Sequence, residues 1–123
     1  MKASKALGWA LVLAGVWQIA APFVLAVNAA PWAAHAVLLG VVWAAFGLWI
    51  GGSGRGDVVK LLGWLAALLG LWALAAPAVL GYARVFPALL NDVLVGFVVM
   101  VLGAWAAYNA PDDQPAPQPV AHH

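Results

Sequence analysis

The chain has 123 residues, of which 67% are hydrophobic and 7% are charged, and its formal net charge is +1. Soluble domains carry roughly 25% charged residues, so this composition excludes a water-soluble globular protein and makes the lipid bilayer the expected partner. The small net charge, with no basic cluster, argues against a nucleic-acid partner. The absence of cysteine excludes disulfides and thiolate chemistry.

Four apolar stretches follow one another, each close to the roughly 20 residues that cross a bilayer. The first follows Ser4, a suitable N-cap residue, and is predicted to extend to about Val27. It resembles a secretory signal, but we expect it to be retained because the chain contains a second copy of it. After a short loop, a second helix is predicted from Pro31 until Gly51 and Gly52 end it.

A glycine-rich segment, GGSGRGD, separates the second and third stretches and is the predicted linker. Asp57 at its end is predicted to cap helix 3. Helix 3 is predicted to reach Leu80 and to end at Gly81, because glycine suits the left-handed position after a helix. Pro87 is predicted to begin helix 4, and Pro111 to end it after Asn109.

The tail of the chain, residues 111–123, is rich in proline and glutamine and is predicted to be disordered. Its last two residues, His122 and His123, are terminal or remnants of a tag, and neither is given a metal-binding role.

The chain contains a tandem duplication. Residues 7–25 read LGWALVLAGVWQIAAPFVL and, 55 positions later, residues 62–80 read LGWLAALLGLWALAAPAVL; the second helices match at a shift of 56. Because each copy crosses the membrane twice, both insert in the same orientation, and a pseudo-twofold axis along the membrane normal is expected.

The predicted fold is therefore an all-α membrane protein with four transmembrane helices in two tandem two-helix repeats. The repeats are residues 1–52 and 58–110, joined by a cytoplasmic linker at 53–57 and followed by the tail at 111–123.

The loop charges predict the orientation, because short loops that carry Lys and Arg stay in the cytoplasm. Lys2, Lys5, Arg55 and Lys60 lie on one side of the membrane, and Arg84 lies on the other. We therefore predict a multi-pass protein of the bacterial inner membrane with both termini in the cytoplasm.

Each predicted helix carries two glycines seven residues apart. Seven residues are nearly two turns, so each pair marks one helix face along which another backbone can approach closely. These faces are predicted to be the packing seams along which each hairpin closes against its duplicate. The eight glycines are Gly8, Gly15, Gly40, Gly47, Gly63, Gly70, Gly96 and Gly103.

The tryptophans fall into two groups. Those near the predicted cytoplasmic helix ends are expected to form an interfacial belt: Trp9, Trp49, Trp64 and Trp105, joined by Tyr108. Trp17 and Trp72 lie deeper and either pack between helices or, with Trp43, line a cavity for a flat apolar ligand. Pro22 and Pro77, near the ends of helices 1 and 3, are predicted to kink them.

The candidates for chemistry are the polar residues at which the two repeats differ, because shared residues serve the common scaffold. They lie toward the predicted outer half of the membrane: Gln18, His35, Asn91 and Asp92. One interpretation is structural hydrogen bonding, with Asp92 paired to Arg84 and Gln18 bonded to a carbonyl freed by Pro77. The other is a small polar pocket that opens outward.

No catalytic or metal-binding residues are predicted. The chain has no Glu and therefore no Glu-x-x-His pair, and its only serines, Ser4 and Ser53, lie at the other side of the membrane from His35 and Asp92. A single membrane histidine cannot supply both axial ligands of a bis-His haem. We therefore predict no enzyme activity and no cofactor.

A short pattern, G-x-W-x-x-x-A-P, occurs once in each repeat, at Gly15 to Pro22 and at Gly70 to Pro77. It resembles the SPW-repeat family of small prokaryotic membrane proteins, which implies two-helix repeats and no defined catalytic residues. The Ser-Pro-Trp signature of that family is replaced here by Ala21-Pro22-Phe23 and Ala76-Pro77-Ala78.

Three functional hypotheses follow from these observations. The first is a structural or accessory membrane protein that forms a homo-oligomer or joins a larger membrane complex. The second is a small transporter or ligand-binding protein that uses the polar pocket. The third is a cofactor-carrying membrane subunit.

Overall fold

The computed structural model describes residues 2–25, 30–53, 55–82, 84 and 86–110, and the structural statements below concern these residues. They form four helices and no strand. All four helices are long and apolar enough to cross a membrane, which confirms the predicted all-α membrane fold. The helices are α1 (Lys2–Val24), α2 (Ala30–Ser53), α3 (Gly56–Leu80) and α4 (Phe86–Tyr108).

The helices form two hairpins that pack side by side. The most extensive contacts lie within the hairpins, between α1 and α2 and between α3 and α4. The hairpins meet through α1 with α4 and through α2 with α3, so the four helices are neighbours in chain order around a closed bundle. The repeat relates these two inter-hairpin contacts to each other, and the twofold axis itself stays a prediction.

The glycine faces close each hairpin internally, and the prediction that they join a hairpin to its duplicate is wrong. A Cβ atom added to Gly15 would lie 2.5 Å from the Ala44 backbone nitrogen, on the other helix of the same hairpin. In the second hairpin, a Cβ added to Gly70 would lie 2.7 Å from the Gly96 carbonyl oxygen. The other six predicted seam glycines likewise face their own hairpin partner: Gly8, Gly40, Gly47, Gly63, Gly96 and Gly103.

The end of α2 also differs from the prediction. Gly51 and Gly52 do not stop the helix, which continues to Ser53. Gly51 is buried and packs closely against Gly8 and Trp9 of α1. This tertiary contact holds the last turn of α2 in helical form and overrides the low helix propensity of glycine.

The predicted N-caps are misplaced. The described part of α1 begins at Lys2, so Ser4 lies inside the helix. The N-cap of α3 is Arg55, which makes no side-chain capping bond, and Asp57 lies in the first turn. There the Asp57 carboxylate forms a salt bridge with Arg55 at 2.9 Å and accepts a bond from the backbone N–H of Val58.

The predicted end of α3 is confirmed. Gly81 has a φ of 88° in the left-handed region, which glycine adopts without a Cβ clash. The N–H groups of Gly81 and Tyr82 both donate to the Pro77 carbonyl oxygen, at 3.1 and 2.9 Å. This arrangement satisfies a carbonyl at the helix end and directs Tyr82 back toward the bundle. Pro77 itself lies inside α3, as Pro22 lies inside α1.

Candidate functional site

Buried polar side chains gather at one end of the bundle, where α1 and α3 end and α2 and α4 begin. Gln18 and Asp92 are 0% exposed, and Asn91 is 7% exposed. An unpaired polar group in such a place costs free energy, so the partners of each group decide what the cluster can do. Those partners form three chains of hydrogen bonds, and all three chains end at Asp92.

The first chain links α1 to α4. The Trp17 indole Nε1 donates to Asn91 Oδ1 at 2.8 Å. The Asn91 amide Nδ2 donates to Gln18 Oε1 at 2.9 Å, and Gln18 Nε2 then donates to Asp92 Oδ1 at 3.3 Å. The two amides therefore connect the indole to the carboxylate through three successive hydrogen bonds.

The second chain is a single bond from α2. Trp32 is fully buried, and its Nε1 donates to Asp92 Oδ1 at 3.0 Å. The same oxygen has a longer contact of 3.5 Å with Asn91 Nδ2.

The third chain links α3, α2 and the loop before α4. The Trp72 indole Nε1 donates to His35 Nε2 at 2.7 Å. His35 Nδ1 lies 3.3 Å from the Tyr82 hydroxyl, and that hydroxyl donates to Asp92 Oδ2. The His35 and Trp72 rings meet edge to face, with centroids 5.9 Å apart.

The direction of every bond follows from the three indoles, because an indole N–H can only donate. Trp72 makes His35 Nε2 an acceptor, so the single proton of a neutral imidazole lies on Nδ1 and points at the Tyr82 oxygen. The Tyr82 hydrogen is then free to point only at Asp92. On the other side, Trp17 fixes the orientation of the Asn91 amide, and Asn91 in turn fixes that of Gln18.

Asp92 is therefore the common acceptor of the network. Gln18, Trp32 and Tyr82 all donate to its carboxyl oxygens. Ionisable groups within membrane spans are rare and are usually paired. Here, neutral donors from α1, α2 and the loop before α4 surround the carboxyl group.

Tyr82 lies outside the membrane-spanning segments and is kept as a donor by its surroundings. Burial, the hydrogen bond to Asp92 and the negative charge of Asp92 raise the pKa of Tyr82 well above its usual value. The phenol consequently keeps its proton throughout the physiological pH range.

Two bonds of the network are equivalent under the internal repeat. Trp17 corresponds to Trp72 at the shift of 55, and His35 corresponds to Asn91 at the shift of 56. Each tryptophan donates to the polar residue of the opposite hairpin, from Trp17 to Asn91 and from Trp72 to His35. The hairpins are thus joined by the same type of bond in both directions.

The remaining part of the network is asymmetric. The counterparts of Gln18, Trp32 and Asp92 are alanines, namely Ala73, Ala88 and Ala36, and all three are buried. Where one repeat carries a large polar side chain of the network, the other repeat therefore carries a buried alanine.

The four candidate residues from the sequence all belong to this network, but two predicted pairings are wrong. Asp92 is bonded to Gln18, Trp32 and Tyr82, whereas Arg84 is exposed and the salt bridge found among the described residues joins Arg55 to Asp57. Gln18 bonds instead to the α4 side chains of Asn91 and Asp92.

Of the three tryptophans proposed to line a cavity, Trp17 lines two surface hollows that Trp43 and Trp72 do not line. Trp43 is 0% exposed in the apolar core, whereas Trp17 is 39% exposed on the bundle surface.

Sequence reasoning missed Trp32 and Tyr82. Both lie where the repeats differ, since Trp32 corresponds to Ala88 and Tyr82 to Val27. The signal that identifies them is the indole N–H and the phenol, because each is a donor that needs a partner when buried.

The polar side chains of the network have hydrogen-bond partners within the bundle. Both ring nitrogens of His35 are engaged, by Trp72 and by Tyr82. The described residues contain no group of three His, Cys, Asp or Glu side chains that could hold a metal ion. What the arrangement does is join the four helices at one end in a single register.

The indole of Trp43 differs from the indoles of the network. The Nε1 of Trp43 is buried without a hydrogen-bond partner, alone among the buried side-chain polar atoms of the described residues. We expect Trp43→Phe to leave the free energy of unfolding nearly unchanged, because the lost volume is offset by removal of an unsatisfied donor. Trp32→Phe is the matched control and should destabilise by about 1–2 kcal/mol.

Reversible unfolding in mixed micelles measures both variants. A Trp43→Phe protein that is destabilised more than Trp32→Phe would contradict this assignment of the two indoles.

Comparison with known proteins identifies the family. The SPW repeat domain matches residues 5–106, which is most of the chain, so the protein belongs to that family. Neither the curated proteins nor the solved structures include a significant match.

Proposed function

We propose that this member of the SPW repeat domain family is a structural or accessory protein of the bacterial inner membrane, without catalytic activity and with both termini in the cytoplasm. It acts through contacts of its helix faces with a second copy or with subunits of a larger membrane complex. The family and the four apolar helices support a membrane protein; the role and the partner are the proposal.

This role is supported by the fact that the polar side chains form hydrogen bonds inside the bundle. Gln18, Asn91 and Asp92 are buried and bonded within the bundle. The surface that remains for recognition is apolar, with large exposed side chains on every helix. Examples are Leu13 at 70%, Leu38 at 65%, Leu68 at 60% and Phe97 at 55% exposure.

Transport through a polar pocket is the alternative, and the closed network does not favour it. Two hollows lined by described residues are apolar, and neither is lined by Gln18, His35 or Asp92. A transport role would require the network to open, and Asp92→Asn would then abolish uptake while leaving the fold intact.

Photo-crosslinking in native membranes tests the proposed role. A photoreactive amino acid is placed at the four exposed positions just named, one on each helix, and at the fully buried Val99 as a control. We expect a protein adduct from at least one exposed face and none from Val99. Lipid adducts alone from all four faces, together with purification as a free monomer, would contradict the proposal.

The orientation has its own test, because the chain contains no cysteine. We expect a cysteine at Arg84 to react with a membrane-impermeant maleimide in intact cells, and a cysteine at Lys60 to react only after lysis. The reverse pattern would place the termini outside.

A further inference from the structure

An elongated apolar groove extends along the surface between α1 and α4. Its wider part has a volume of about 400 Å³ and reaches Phe86 and Pro87 at the start of α4. A second hollow of about 220 Å³ continues it toward Val98 and Ala14. The two share Trp17, Leu94 and Val95, so they form one continuous groove.

The length of the groove corresponds to one leaflet of a bilayer. Val98 follows Phe86 by 12 residues, which at a rise of about 1.5 Å per residue gives a length of about 18 Å along α4. A hydrocarbon core of about 30 Å gives each leaflet about 15 Å. An extended acyl chain therefore fits the groove better than a compact ring does.

The polar atoms beside the groove are already bonded. Asn91 and Trp17 both line it, but the Trp17 N–H donates to Asn91 Oδ1, and Asn91 Nδ2 donates to Gln18. A quinone or another carbonyl-bearing ring would find no free donor at these residues. The lining instead matches a ligand that is hydrocarbon along its whole buried length.

A cation lies close in sequence to the groove. Arg84 precedes the lining residue Phe86 by two residues, is exposed, and forms no ion pair with the described residues. No other Lys or Arg of the sequence lies between residues 61 and 123. Arginine is well suited to bind phosphate, because its planar guanidinium can donate two hydrogen bonds at once.

We propose that the α1–α4 groove binds one acyl chain of an anionic phospholipid, whose phosphate is held by Arg84. On the other side of the bundle, Tyr82 lies against His35, with ring centroids 6.3 Å apart, and is only 3% exposed. Lipid binding at the groove does not depend on the proposed structural role, since it requires no protein partner.

Native mass spectrometry of the full-length protein tests the site with phosphatidylglycerol and phosphatidylcholine of identical acyl chains. We expect the wild type to bind the anionic lipid about fivefold more tightly, the contribution of one cation at a membrane surface. Arg84→Gln should remove this preference. Lys60→Gln, which removes an exposed cation at the other end of the bundle, should keep it.

A larger side chain in the groove tests whether the groove binds the acyl chain of the lipid. Leu94→Trp should weaken the binding of both lipids, whereas Leu38→Trp, at the corresponding exposed position of the other repeat, should not. Equal binding of the two lipids by the wild type, an unchanged preference in Arg84→Gln, or wild-type binding by a folded Leu94→Trp protein would each overturn the proposal. The arginine variant carries the test if Leu94→Trp does not fold.

Discussion

Asp92→Asn is expected to destabilise the bundle by about 1–3 kcal/mol, although it changes neither the shape nor the volume of the side chain. If the new amide turns its oxygen toward Trp32 and Gln18, its NH₂ group faces the Tyr82 oxygen. The Tyr82 hydrogen then has no acceptor, because His35 Nδ1 already carries a proton. The opposite orientation brings the NH₂ group against the Trp32 N–H. Either orientation leaves a buried donor unsatisfied.

A double-mutant cycle with Tyr82→Phe measures the coupling free energy between the side chains at positions 82 and 92. Removing the hydroxyl from the Asp92→Asn protein also removes the unsatisfied donor, so we expect the combined loss to be smaller than the sum of the single losses. Reversible unfolding in mixed micelles gives the three free energies. Losses that add to within about 0.5 kcal/mol would show that the two side chains are not coupled as the hydrogen bonds require.

Gly15→Ala is expected to cost about 1–3 kcal/mol, because the added methyl group has no space. Its carbon would lie 2.5 Å from the Ala44 nitrogen and 2.6 Å from the Gly40 oxygen, both of them backbone atoms that cannot turn aside. The two helices of the hairpin must therefore separate. Separation also loses the dispersion contacts that associate helices in lipid.

Gly52→Ala is the matched control for this substitution. Gly52 also lies inside a helix, but an added Cβ would have no atom within 4 Å. We expect that variant to be neutral or stabilised by up to about 1 kcal/mol, the difference in helix propensity between the two residues. If both alanine variants unfold alike, close backbone contact at the glycine faces contributes nothing measurable to stability.

Two kinds of contact hold the bundle together, one within each hairpin and one between the hairpins. Glycine faces close each hairpin, as at Gly15 and Gly70. Hydrogen bonds join the hairpins, as from Trp17 to Asn91 and from Trp72 to His35. In lipid, apolar surface between two hairpins gives little net driving force, so a polar network provides a specific reason for them to pair in one register.

Helix number, approximate bounds and the duplication could be read from the sequence, because they depend on local composition. A run of about 20 apolar residues predicts a spanning helix whatever its neighbours are. The errors lie where a neighbour intervenes. Gly51 and Gly52 remain helical because Gly51 packs on α1, and Asp57 lies two residues beyond Arg55, the N-cap of α3.

In the candidate site, too, the sequence predicts one part and the packing of the helices decides the other. The sequence by itself determined which polar residues the two repeats do not share, and therefore that Gln18, His35, Asn91 and Asp92 need an explanation of their own. Only the tertiary structure decided that these residues bond to one another and to Trp32 and Tyr82, from a helix start and a loop. Repeat spacing places residues along each helix, but the partner of a buried donor depends on which helices become neighbours, and that follows from the packing of the whole bundle.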